Sequence, residues 1–369
     1  MKVVMAIDSF KGSLTSLEAG AAAAEGVRRA IPDAECVVRP LADGGEGTVD
    51  ALVGGMGGER QEVVVTGPAG RPATAAYGLL PGGLAVMEMA QAAGLTLVSG
   101  DGRDPRLTTT YGVGEMIRDA AGRGARSFIM GIGGSATNDG GAGMLQALGW
   151  RLLDAAGRDL PRGGAALVRL ARIEPPSDGS LRDLSFRIAC DVTNPLCGPN
   201  GASAVYGPQK GASPEAVREL DAALAHFASV AGGEPDAPGA GAAGGLGYAF
   251  KTFLDAELTP GVDLILRETH LEDVLRDADV AVTGEGRLDG QTAMGKAPVG
   301  VARLAKRHGV RTVAFAGCVG EGAEAVNAAG IDAYFPILRR IATLDEALDR
   351  KTASANLTAT VEQAFRLLR

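Results

Sequence analysis

Aromatic side chains make up only 4% of this chain, although hydrophobic residues make up 46%. A core must then be built from Ala, Val, Leu and Ile, the set that fills α/β proteins. Histidine is scarcer still. His226, His270 and His308 all lie in polar stretches with helical patterning, so histidine-centred catalysis has little support. The four cysteines (Cys36, Cys190, Cys197 and Cys318) show neither zinc nor redox spacing. They read as small apolar fillers in a reducing cytoplasm. No Lys/Arg cluster offsets a net charge of −8, which makes nucleic acid and anionic membrane poor partners. No apolar run is long enough to span a bilayer, and the one in MKVVMAIDSF is too short for a signal peptide. These absences point to a cytoplasmic protein, and 369 residues suffice for two domains with a large core.

Glycine-softened loops following short apolar runs are what the chain does contain. The most prominent runs from Ser127 to Gly143, SFIMGIGGSATNDGGAG. It opens as a buried strand and breaks into glycine interleaved with Ser135, Thr137, Asn138 and Asp139, ahead of a helix expected over Met144 to Leu153. Upstream, Val3–Ile7 and Cys36–Arg39 read as strands, and Leu14–Ile31 as an amphipathic helix stopped by Pro32. A further helix is expected from Val49. From Glu62 the texture turns partly antiparallel, with strands over Val63–Thr66, Ala73–Leu79 and Leu84–Met89. Helices are expected over Thr110–Ala121 and Ser213–Val230, a surface connection over Pro175–Ser180, and a strand over Phe186–Cys190. Leu264–Leu275 reads as helical. Strands return at Asp279–Thr283, Thr312–Ala316 and Ala333–Phe335, alternating with helices over Pro298–His308, Glu321–Ala329 and Leu344–Arg369. This order predicts an α/β fold: a doubly wound parallel-sheet (Rossmann-like) domain formed by 1–62 plus 277–369, with a mixed α/β domain, 63–276, inserted. By composition alone Gly232–Gly245 would be a flexible linker.

In an open α/β sheet, ligands bind beyond the carboxyl ends of strands. Six loops fit that position: Asp8–Ser13, Asp43–Thr48, Gly131–Gly141, Asp191–Asn194, Gly207–Gly211 and Gly284–Lys296. Together they supply what phosphoryl transfer needs, namely carboxylates for Mg²⁺ and a proton, lysines for phosphate, and a backbone open to close approach. Two familiar motifs are near-misses. Gly290-x4-Gly295-Lys296 has P-loop spacing, but Ala297 stands where Ser or Thr should hold magnesium. Gly131–Ala136 matches the looser dinucleotide fingerprint, with Asp154 about 20 residues on. Polar residues and glycine continue to Gly143, however, where a helix should already have begun.

DSFKGSL at 8–14, PLADGGEGTV at 40–49, GIGGSATNDGGAGMLQALG at 131–149, CDVTNPLCGPNGAS at 190–203, GPQKGAS at 207–213, PGAGAAGG at 238–245 and TGEGRLDGQT at 283–292 resemble the bacterial glycerate kinase family, the glyoxylate-pathway type (type 1 glycerate kinase). The stretches span nearly the whole chain in the family's order. Departures fall at small positions, such as Gly12, Cys197 and Gly290. The resemblance implies phosphorylation of D-glycerate with ATP and Mg²⁺ in a two-domain α/β protein with a cleft between domains. It also makes PGAGAAGG an ordered loop.

The reaction needs a base near the hydroxyl, a metal between phosphates, and cations on the transferring group. Asp191, directly after a strand, is the first candidate for base or magnesium-bridging carboxylate, against the plainer role of a loop cap. Asp8 and Lys11 follow, for substrate or phosphate, with Ser9 beside them. Ser135, Thr137, Asn138 and Asp139 are candidate contacts to glycerate or phosphate. Lys210 lacks local partners and Lys296 is a phosphate contact, while Arg287 suits a carboxylate. Asp43, Glu46, Glu285 and Asp289 are the candidate metal ligands. The favoured product is 2-phosphoglycerate, with 3-phosphoglycerate open. An NAD-dependent hydroxy-acid dehydrogenase and a non-catalytic nucleotide-binding regulator are the rivals from other classes.

Overall fold

The first strand shows why the chain forms layers. In β1 (Lys2–Ile7) the side chains of Val3, Met5 and Ile7 pack on one face among Ala19, Ala23, Val27, Leu357 and Val361. Val4 and Ala6 pack on the other among Val262, Leu271, Leu275 and Val301. A strand buried on both faces has no polar alternation to show, and helices must cover both sides. The computed structural model describes residues 1–100, 103–177, 179 and 181–368. Asp178 and Ser180 of the expected surface connection, and Arg369 of the last expected helix, lie outside the described residues.

In chain order the other strands are β2 (Glu35–Pro40), β3 (Glu59–Thr66), β4 (Pro72–Leu80), β5 (Leu84–Glu88), β6 (Ser127–Gly131), β7 (Arg151–Leu153), β8 (Arg172–Glu174), β9 (Ser185–Ala189), β10 (Glu257–Thr259), β11 (Val280–Leu288), β12 (Arg311–Val319) and β13 (Ala333–Pro336). The chain divides into two compact units, one of residues 1–43, 50–58 and 262–369, the other of 44–49 and 59–261.

The first unit is a five-stranded sheet in the order β13-β12-β11-β1-β2, parallel throughout. The helix Ser16–Ala30 between β1 and β2 starts with a capping box, Thr15 and Glu18 satisfying each other's backbone amides. It packs with the helix Arg350–Arg366 on the same face. Residues 262–276, expected in the insert, group with this sheet because Val262, Leu266, Leu271 and Leu275 complete its second apolar layer.

The second unit is a six-stranded mixed sheet, β10-β9-β6-β5-β4-β3. Its β3–β4 and β4–β5 pairs are antiparallel and the rest parallel. Much of the chain's sparse aromatic content concentrates here. Phe128 stacks on Phe186 with ring centroids 4.9 Å apart, and Phe227 on Phe253 at 6.0 Å. The structure is thus a mixed α/β fold with one parallel sheet and a separate mixed one.

Several expected elements end early. The helix over 144–153 is only Ala142–Ala147, and Arg151–Leu153 instead pairs with β8. Leu264–Leu275 is two helices, Gly261–Glu268 and Leu271–Leu275, broken where His270 adopts φ 50°. The helix over 321–329 shrinks to Ala325–Ala328. Asp349 divides Leu344–Leu348 from Arg350–Arg366, its carboxylate accepting the Thr352 amide. The glycine-rich 238–245 stretch is ordered, as the resemblance implied and its composition did not. Gly244 sits at φ 71°, where a Cβ would lie 2.0 Å from the carbonyl oxygen of Thr137.

Candidate active site

A parallel sheet presents all its strands' carboxyl ends on one edge, and in the first unit a group of charged side chains collects there. Asp8, Ser9 and Lys11 follow β1, Asp43 follows β2, and Ile337 and Leu338 follow β13. The strand expected to stop at Thr283 continues to Leu288, Glu285 pairing with Ala316 and Arg287 with Cys318. These residues, with Lys296, line one pocket of about 430 Å³.

Its electrostatics follow from burial. The Asp8 carboxylate accepts the Ser9 amide at 2.7 Å. Desolvation, then the negative charge of Asp43, push its pKa up to about 7, with a smaller upward push from Glu285; Ser9 and Lys11 oppose the rise. Glu285 is 8% exposed and accepts the Thr292 hydroxyl at 2.5 Å; burial lifts it above the usual carboxylate range. Lys11 Nζ lies 3.8 Å from the Asp43 carboxylate. Asp289 is not in the pocket wall. It instead holds two residues that are, Arg287 at 3.3 Å and Lys296 at 3.9 Å. Ser13 also lines the pocket, with a buried hydroxyl oxygen that finds no partner among the described residues.

Among the described residues, no three His, Cys, Asp or Glu side chains form a self-sufficient cation cage. Magnesium does not need one, since it is commonly held by one or two carboxylates and substrate phosphates. The mutual repulsion of Asp8, Asp43 and Glu285 makes this pocket a fitting donor set for such an ion. Glu46 does not belong to it: it is exposed, lies in the second unit, and is absent from the pocket wall.

In the second unit the loop after β6 is organised by its own carboxylate. Asp139 has no exposed surface and accepts the Thr110 amide (2.8 Å), the Thr110 hydroxyl (2.9 Å) and the amides of Gly141 and Gly143 (both 3.2 Å). Gly143 permits this, because a Cβ there would lie 2.2 Å from Thr109 Oγ1. Asp139 is therefore not presented to glycerate or phosphate. Thr137 and Asn138 are equally buried, and Asn138 donates to the Ser203 hydroxyl. Lys210, expected to lack local partners, is 2% exposed and donates to Ser135 Oγ and the Thr137 carbonyl, each at 2.7 Å. Burial depresses its pKa to about 7, with the Asp139 charge opposing. Asp191 is exposed, two residues past β9, and accepts the Gly261 amide at 2.8 Å.

The dinucleotide fingerprint fails structurally. The helix after Gly131–Ala136 begins only at Ala142, and Asp154 spends its carboxylate on the amides of Ala156 and Arg158 in a turn. Ser13, Thr292, Cys318 and Asn356 belong to the pocket or its support and were not singled out from sequence. Ser13 and Thr292 lie in the glycine-softened loops Asp8–Ser13 and Gly284–Lys296, whereas Asn356, in an Ala/Thr-rich helical stretch, carries no local signal.

The model of the glycerate kinase family matches residues 3–369. A glycerate kinase of Halalkalibacterium halodurans is 50% identical over 94% of this chain and 93% of its own length. The glycerate 2-kinase of Escherichia coli K12 is 46% identical over 99% of each. The crystal structure of a glycerate kinase 2 from Salmonella typhimurium LT2 superposes with a TM-score of 0.92 at 47% identity, covering 100% of this chain and 98% of that one. With the family pattern running from one end of the sequence to the other and the fold shared over its whole length, the chain belongs to the glycerate kinase family.

Proposed function

We propose that the protein transfers the γ-phosphoryl group of ATP to the 2-hydroxyl of D-glycerate, releasing ADP and 2-phosphoglycerate. The observation that carries this reading is the collection of Asp8, Lys11, Asp43, Glu285 and Lys296 in one pocket at the carboxyl edge of the parallel sheet. Lys11 and Lys296 supply positive charge for the donor's phosphates. Asp43 and Glu285 would hold Mg²⁺, which when bound neutralises charge between the β- and γ-phosphates. Asp8 accepts the proton as the glycerate oxygen forms its bond to phosphorus and the bond to the β-phosphate oxygen breaks. Ser9, through its amide, orients that carboxylate. Arg287, with its five donors, suits the glycerate carboxylate.

Of the two base candidates, Asp8 is preferred over Asp191. It is desolvated in the charged pocket, whereas Asp191 is exposed and bonded to a backbone amide. The buried Ser135–Lys210 group acts, in this reading, by fixing the loop after β6. The two compact units correspond to two domains, the second inserted into the first. Phosphorus NMR of a reaction containing ATP, Mg²⁺ and D-glycerate tests the function. A 2-phosphoglycerate resonance is expected; 3-phosphoglycerate would correct the regiochemistry, and no phosphorylated product would refute the reading.

A further inference from the structure

The pocket of the parallel-sheet unit changes character along the sheet edge. At β1, β2 and β11 its wall is charged. At the outer strand β13 and the helices that follow, the wall is Ile337, Leu338, Leu344, Leu348 and Ala353. Leu344 is 73% exposed, and Leu338 and Leu348 are more than a third exposed, so apolar surface stands open to water at one end of a charged pocket. That polarity matches a nucleotide, whose flat base is poorly hydrated and whose phosphates are anionic. The wall at the apolar end carries one side-chain amide, Asn356. It sits three residues after Ala353 on the helix Arg350–Arg366 and therefore on the same face. Its side chain forms no hydrogen bond with any described residue.

An amide offers one donor group and one acceptor. Adenine presents the complement on one edge, the N6 donor beside the N7 acceptor, whereas guanine presents two acceptors there, O6 and N7. Against guanine the amide oxygen is left facing an acceptor. We propose that Asn356 reads the purine edge of the phosphoryl donor and sets a preference for ATP over GTP, a proposal that rests on the donor-pocket reading above. The leucine wall binds either base, and the amide distinguishes them.

The test compares KM for ATP and GTP at saturating D-glycerate, with calorimetric titration of each nucleotide in parallel. The wild-type protein is expected to favour ATP roughly 10-fold or more, the lower range for a bidentate amide–adenine pair. Asn356→Leu brings the ratio close to one by raising KM for ATP. Leu344→Gln, at a site too exposed to endanger folding, weakens both nucleotides together and keeps the ratio. Should Asn356→Leu not fold, Asn356→Ala removes the amide's donor and acceptor together without adding bulk, and it too is expected to lower the ratio. An unchanged ratio in the Asn356 variants, or a wild-type protein indifferent to the base, overturns the proposal while leaving glycerate phosphorylation intact. If neither nucleotide binds, the donor-pocket reading fails and this proposal with it.

Discussion

Lys210 offers a quantitative test of how the second unit is built. Its ammonium is enclosed at 2% exposure and its pKa is depressed to about 7, against 10.5 for the ordinary group. Below pH 7 the folded and unfolded chains both carry the proton, and folding bears the whole cost of burying the charge. Between pH 7 and 10.5 the unfolded chain still holds a proton that the folded chain has released, so the free energy of unfolding climbs with pH. With those two pKa values the gain from pH 6 to pH 9 is about 3 kcal/mol. Lys210→Met removes that term. It also leaves Ser135 Oγ and the Thr137 carbonyl without their donor, which costs about 1–3 kcal/mol. The readout is supplied by the chain's single tryptophan, Trp150, which lies in the same unit edge-on to Phe253 at 5.0 Å. Its fluorescence in urea, without substrates, follows that unit. The wild-type advantage over Lys210→Met should widen by about 3 kcal/mol between pH 6 and pH 9. Other groups titrating in this range are common to both proteins and cancel. Parallel pH dependences would show that the amine keeps an ordinary pKa and that its enclosure does not cost what the geometry demands.

Further outcomes follow from the pocket. With Asp8 titrating at about 7, kcat/KM should fall tenfold per pH unit below that value, and Asp8→Asn should cut kcat about 10²–10⁴-fold. Asp43→Asn removes a charge that raises the Asp8 pKa and should shift the acid limb to lower pH; near-normal turnover in Asp8→Asn with collapse in Asp191→Asn would transfer the base to Asp191. Among the cysteines, burial pushes the thiol pKa of Cys36, Cys190 and Cys197 upward, while Cys318 is exposed in the pocket wall. Iodoacetamide should therefore label Cys318 first, and ATP should slow it; labelling at the same rate with and without ATP would place the nucleotide elsewhere.

The layered α/β architecture was legible because its signal is local and repeated: apolar runs such as Val3–Ile7, then glycine and polar residues, then a capped amphipathic helix. Sequence expectation and structure part where local pattern and tertiary pairing disagree. The Met144–Leu153 run is alanine- and leucine-rich enough for a helix, but Gly149 turns at φ 95° and β8 claims Arg151–Leu153 as a partner. The enclosure of Lys210 could not be read from sequence at all, since its two acceptors lie 73 and 75 residues away. Asp139 is the instructive case. In sequence it is one more carboxylate in a ligand-like loop; in the structure four donors surround it, two of them from Thr110 in a distant segment.

That contrast bears on why charged, glycine-rich loops divide into two kinds here. A carboxylate at a strand's carboxyl end faces free backbone amides, and if the loop folds back over it those amides consume its lone pairs, as at Asp139. If neighbouring strands instead bring further carboxylates to the same edge, the amides cannot satisfy them all. Burial and, after it, the surplus charge then raise a pKa, as at Asp8 beside Asp43 and Glu285. Parallel pairing forces the second outcome in the first unit: β1 lies between β2 and β11, Asp8 and Asp43 follow the first two strands, and Glu285 lies in the carboxyl-terminal half of the third. Residues 8, 43 and 285 share no motif, so only the strand order discloses that they act on one another. Crowded negative charge of this kind costs stability in the absence of ligand, and a polyphosphate arriving with a divalent cation is the chemistry that removes the cost.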